Sequence, residues 1–94
     1  MEITEVRIAL VNESKLRAFV SITFDNCFVV RGIKIIQGVH GPFVSMPSRR
    51  TSRGTFQDIA HPISEEMRLK MDGIILGAFE AELRNRGIAI INTD

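Results

Sequence analysis

Over residues 4–24 apolar and polar side chains alternate at period two, and no other feature of the chain restricts its fold so strongly. In residues 4–11 Val6, Ile8 and Leu10 take one side while Glu5 and Arg7 take the other. That pattern is the signature of a strand with one buried face. Residues 12–15 have turn chemistry, after which Leu16, Ala18, Val20, Ile22 and Phe24 resume the apolar phase against Arg17, Ser21 and Thr23. The two runs read as a hairpin. Asp25 and Asn26 supply a second turn into "CFVVRGIKII", residues 27–36, a third strand rich in β-branched residues. Its apolar phase slips at Gly32, because Phe28 and Val30 share one parity and Ile33 and Ile35 the other. A glycine-centred β-bulge would keep all four on the core face. Gly38, Gly41 and Pro42 then punctuate a loop, and "FVSM", residues 43–46, gives a short fourth strand that Pro47 stops.

Residues 48–54 are polar and aperiodic, so they read as a loop or as the tip of a long hairpin. "TFQDIA" resumes an extended conformation up to Pro62. Ser64 is placed to cap a helix whose first turn carries Glu65 and Glu66, where the helix dipole favours negative charge. Met67, Met71, Ile74, Ile75, Ala78 and Leu83 recur at helical spacing, Arg84 and Arg86 suit the last turn, and Gly87 suits the C-cap. Residues 88–92, "IAIIN", fit a closing strand, a packed tail or a contact with another chain equally well. The expected fold is α+β, an antiparallel β-sheet of four to five strands with one C-terminal amphipathic helix, in a single domain over residues 1–94. One helix leaves part of such a sheet uncovered, so a dimer is expected.

Composition narrows the function classes. With 45% hydrophobic and 24% charged residues the chain is of ordinary globular type. Its lone Cys27 excludes an internal disulfide, and no Cys/His cluster offers the ligands of a structural zinc. No apolar run approaches the ~20 residues of a membrane span, and Glu2, Glu5 and Glu13 interrupt any export pattern. A cytoplasmic location without cofactor, metal, membrane contact or small-molecule substrate is the expectation.

Charge is placed unevenly. Residues 1–62 hold eight basic and five acidic side chains, for +3, and residues 63–94 hold four basic and six acidic, for −2. Between Asn26 and Gln57 there is no Asp or Glu, yet Arg31, Lys34, Arg49, Arg50 and Arg53 all fall there. The bland reading of the last three is a solvated loop tip. Against it stand the exclusive use of arginine, whose planar donors match phosphate oxygens, and the absence of a nearby carboxylate. One copy making three phosphate contacts has a salt slope of only about −2.7, while paired copies reach roughly −5. A nucleic-acid reading therefore needs a dimer. In it Arg49 and Arg50 are the principal contacts, Arg53 supports them, and Arg31 and Lys34 add to them.

The stretch "MPSRRTSRGTFQDIAHPI", residues 46–63, resembles the signature of the SpoVG, or septation-protein, family of bacteria, and "MEITEVRIALVN" and "LRAFVSITFDNCFVVRGIKII" extend the likeness over roughly residues 1–72. The resemblance implies a cytoplasmic homodimer with an antiparallel sheet, a C-terminal helix and partial strand exchange. It also implies binding to DNA, and in some members RNA, with regulatory effects on sporulation, septation or other gene expression. The family's Lys-Arg pair falls on Arg49 and Arg50, and its Pro-Asp turn is replaced by Ser52 and Arg53, which makes this turn less rigid and more basic.

Catalysis has no clear candidate, and the chain is not expected to be an enzyme. Asp58 and His61 have a spacing that suits an acid/base pair, but His61 reads more simply as an anchor of the strand-to-helix junction. Cys27 reads as a small core or edge residue, and Gly73 and Gly77 either admit a close neighbour or are merely tolerated. The competing function is a protein-interaction module of the division or regulatory machinery, with the arginines meeting an acidic partner.

Overall fold

The computed structural model describes residues 1–86 and resolves the alternating runs into a four-stranded antiparallel sheet in the order β1-β2-β3-β4, crossed on one face by a helix. The strands are β1 (Ile3–Leu10), β2 (Leu16–Phe24), β3 (Phe28–Gly38) and β4 (Gly41–Ser45). Two short strands, β5 (Ser48–Arg50) and β6 (Phe56–Asp58), form a separate ribbon, and α1 (Glu65–Asn85) follows. Among the described residues the sheet thus has four strands, the lower of the expected counts, and the polar segment is a hairpin of its own.

Each connection follows from its residues. Asp25 and Asn26 adopt φ of 50° and 53°, and the Cys27 amide donates to the Phe24 carbonyl at 3.0 Å. Two successive left-handed residues make a type I′ turn, whose twist matches that of the flanking strands. Gly38 pairs with Gly41 around the two residues Val39 and His40, so β4 begins before Pro42. Pro42 is tolerated there because β4 is an edge strand, where a missing ladder donor costs little.

The bulge expected at Gly32 is present. Val20 pairs with Ile33 and Ile22 with Val30, leaving Arg31 and Gly32 together opposite the one residue Ser21, with Gly32 at φ +80°. Val30, Ile33 and Ile35 accordingly all pack on the core side. Phe28 does not follow them fully: it lies largely exposed at the end of the sheet. A second register shift, between Leu16 and Ala18, changes the reading of Arg17. Its guanidinium carbon lies 5.4 Å from the centroid of the Phe79 ring on α1, and its Nη1 donates to Gln37 Oε1 at 2.5 Å. Arg17 therefore reaches the helix side, opposite to the side that simple alternation assigns it, and covers a core aromatic with its cation.

Helix α1 starts where capping predicts. Ser64 is extended, and its Oγ accepts from the Met67 amide at 3.1 Å. The row Met71, Ile75, Phe79 and Leu83, spaced by four, is buried. Phe79 is absent from the stripe read in the sequence, whereas Ile74, included there, is partly exposed. This row meets Ala18, Val20, Ile22, Ile33, Ile35 and Val44 in one core. Full burial of a branched aliphatic or aromatic side chain contributes about 1.5–3 kcal/mol, and Ile22, Ile33, Ile35, Ile75 and Phe79 are all buried this completely. The molecule measures 36 × 35 × 22 Å, and its thin dimension is that of one sheet plus one helix layer. Among the described residues no helix lies on the opposite face of the sheet. No described helix is long and apolar enough to cross a membrane. The expectations for Gly87 and for residues 88–92 lie outside the described residues.

Candidate nucleic-acid interface

The arginine cluster stands on the β5–β6 ribbon. Its base is closed by the Ile59 amide donating to the Pro47 carbonyl at 2.7 Å. Its tip is closed by Thr51 and Thr55, joined by a backbone hydrogen bond of 2.7 Å and by their hydroxyls at 2.8 Å. Between them the Gly54 amide donates to the Thr51 carbonyl at 3.0 Å, and Gly54 has φ +82°. A tight turn followed by a left-handed glycine is a standard three-residue hairpin loop. The turn is thus held by threonine hydroxyls and Gly54 although Ser52 and Arg53 stand in it.

The ribbon's register separates the two principal arginines. Arg49 pairs with Gln57 and Arg50 with Phe56, while Ser48 pairs with Asp58. Successive strand residues point to opposite faces. Arg50 therefore shares one face with Phe56 and Asp58, and Arg49 shares the reverse face with Gln57, with Arg53 at the tip. All six residues of β5 and β6 are exposed. A two-stranded ribbon is narrow enough for a DNA major groove, and cations on both of its faces could meet phosphates on either side.

Ion pairs among the described residues join Arg7 to Glu5, Arg68 to Asp72 and Arg86 to Glu82. None involves Arg49, Arg50, Arg53, Arg31 or Lys34. Even Asp58, on the same ribbon face as Arg50, makes no ion pair with it. Arg31 and Lys34 are exposed on β3, away from the ribbon's strands. Only Gly32, the neighbour of Arg31, stands near the ribbon's root, where an added Cβ would lie 3.4 Å from the Pro47 Cβ.

The other chemistry weighed in the sequence is dispersed. His61 Nδ1 is 2.9 Å from the Pro62 carbonyl, a local bond at the junction into α1. Its ring borders an apolar cavity of about 160 Å³ shared with Phe24, Met46, Met67 and Met71, and Asp58 is not in the cavity's wall. Cys27 is exposed next to the β2–β3 turn, so it is an edge and not a core residue. No three His, Cys, Asp or Glu side chains cluster among the described residues. Sequence reasoning missed the Thr51–Thr55 closure and the placement of Phe56 beside Arg50. The signal for both was the pair of threonines flanking a glycine-containing segment.

The SpoVG family profile matches residues 1–81, which span the sheet, the ribbon and most of α1. The chain belongs to the SpoVG family. Curated SpoVG proteins resemble it along nearly their whole length. The one from Bdellovibrio bacteriovorus, named "Putative septation protein SpoVG", is 49% identical over 92 residues, covering 98% of this chain and 85% of the relative. Its namesake in Anaeromyxobacter sp. strain K is 52% identical over 89 residues, covering 95% of this chain and 88% of the relative. That of Caldicellulosiruptor saccharolyticus is 52% identical over 82 residues, covering 86% and 93%. The SpoVG match runs past the first half of α1, further than the motifs alone indicate, and it includes the whole arginine ribbon.

Proposed function

We propose that this SpoVG protein is a nucleic-acid-binding regulator, and not an enzyme, which works in the cytoplasm as a homodimer and grips DNA or RNA through the sugar–phosphate backbone. Arg49, Arg50 and Arg53 on the ribbon are the principal contacts, and Arg31 and Lys34 extend them. The observation that carries this reading is a projecting hairpin with three exposed guanidinium groups and no carboxylate paired with any of them. Neutralising such groups on a polyanion releases its condensed counterions, which gives affinity that salt opposes. The septation named in the relatives suggests cell division as the process regulated.

Pairing of two copies is supported by exposed apolar residues on β6 and along the junction into α1. Phe56, Ile59, Ile63 and Leu69 are 74, 67, 95 and 65% exposed, and Ile63 and Leu69 border one depression. Exposed apolar side chains that gather into a patch mark a surface that another molecule covers. The same observation favours a second reading, in which the apolar residues and the arginines together receive an acidic protein of the division machinery.

The test is a titration of labelled duplex DNA and single-stranded RNA at salt concentrations from 50 to 200 mM, with the wild type and the Arg49→Ala/Arg50→Ala variant. The six ribbon contacts of a dimer contribute a slope near −5 on duplex DNA, and removing four of them should flatten the measured slope by about 3.6. Both arginines are exposed, so stability should change by no more than about 0.5 kcal/mol. An unchanged slope would end this reading, and saturable binding of an acidic protein without nucleic-acid affinity would establish the second.

A further inference from the structure

The face of the sheet turned away from α1 bears two phenylalanines that the core does not use. Phe19 on β2 is 44% exposed and Phe43 on β4 is 50% exposed, in a chain whose aromatic residues are six phenylalanines only. The register places Ala9, Phe19, Lys34 and Ser45 in one row across all four strands. The small side chains Ala9 and Ser45 leave this row low, so that the Phe19 ring stands accessible. Phe43 lies two residues along and two strands over from Phe19, about 12 Å away at the usual spacings of a sheet. Its ring rests against Gly38, where an added Cβ would meet it at 3.1 Å. Both rings are thus held by the sheet, and neither is hidden by it.

Cations surround them. Arg7, Phe19, Ser21 and Arg31 line one shallow depression, and Lys34 pairs directly with Phe19. The acid Glu5 is occupied by Arg7, at 3.2 Å, while Arg31 and Lys34 have no ion-pair partner among the described residues. Exposed flat rings about two extended nucleotides apart, with unpaired cations beside them, have the chemistry of a platform for unpaired nucleotides. Bases of a duplex are stacked on each other and cannot reach such rings. Gly32, which borders the same depression as Phe19 and Arg31, stands near Pro47 at the root of the arginine ribbon, so the two surfaces are neighbours.

We infer that the open sheet face binds single-stranded nucleic acid, with bases stacking on Phe19 and Phe43 and phosphates paired with Arg31 and Lys34. The inference rests on the nucleic-acid reading of the ribbon and adds to it a preference for unpaired strands. The chain contains no tryptophan, so Phe19→Trp introduces a single fluorophore at the platform. Its emission should be quenched by a 12-nucleotide oligodeoxyadenylate and not by a 20-base-pair duplex. Phe19→Leu/Phe43→Leu keeps the face apolar but removes the rings, and it should weaken binding of the single strand at least about tenfold while duplex binding is unchanged. Unaltered melting of both variants shows that they fold. If the leucine variant binds the single strand like wild type and the tryptophan is not quenched, while Arg49→Ala/Arg50→Ala still loses affinity, the platform is refuted and the ribbon reading stands. If wild type binds neither probe, both readings fall. A tryptophan already shielded in the free protein, with the leucine variant monomeric by light scattering, would show that a second copy occupies the face and would also refute the platform.

Discussion

At the scale of single residues, Gly32 carries more of the architecture than its size suggests. It takes φ +80° so that Val30 and Ile33 both reach the core across a bulge. Gly32→Ala should lower stability by about 1–2 kcal/mol, since a left-handed conformation is unfavourable for any residue with a Cβ. A urea unfolding curve would read this as an earlier midpoint with an unchanged slope. The position was legible in the sequence because the apolar phase breaks there and nowhere else in the third strand. Arg17 was not legible. Its alternation assigns it to the outer face, but the register shift beside it brings its guanidinium over Phe79, and such a shift depends on the partner strand, which local pattern does not contain.

At the scale of elements, α1 is defined at its start by Ser64, and Ser64→Ala should cost about 1 kcal/mol through the unsatisfied Met67 amide, checked by thermal melting. Gly73 and Gly77 lie on its open side, where an added Cβ meets nothing within 4 Å. Gly73→Ala and Gly77→Ala should each raise stability by roughly 0.5–1 kcal/mol, the usual gain of alanine over glycine inside a helix. Melting at two protein concentrations separates this from packing by a second copy, in which case the gain shrinks or reverses as concentration rises. The helix itself was legible from its cap and spacing. Phe79 was overlooked because Ile74 and Ala78 complete a plausible stripe without it, and the choice between stripes turns on which way the sheet approaches. The β5–β6 ribbon was only half legible, since strands of three residues are too short to show a period, and only the closely spaced Thr51 and Thr55 mark the tip that they close.

At the scale of the whole molecule, the described residues cover one face of a four-stranded sheet with a helix and leave the other face and the ribbon exposed. Light scattering should give twice the 10.5 kDa of the chain. On dilution below the dimer's dissociation constant the salt slope for nucleic acid should fall from about −5 towards about −2.7, as six available contacts become three. A constant slope across that dilution would separate binding from pairing. The ribbon also divides labour within the chain. None of the residues of β5 and β6 enters the core, so the arginines of the proposed backbone grip stand apart from the side chains that fold the sheet. Exchanging residues 48–58 between relatives should therefore change the salt slope of nucleic-acid binding with little effect on the host scaffold, and lineages are free to vary the charge of that short tip without disturbing the fold.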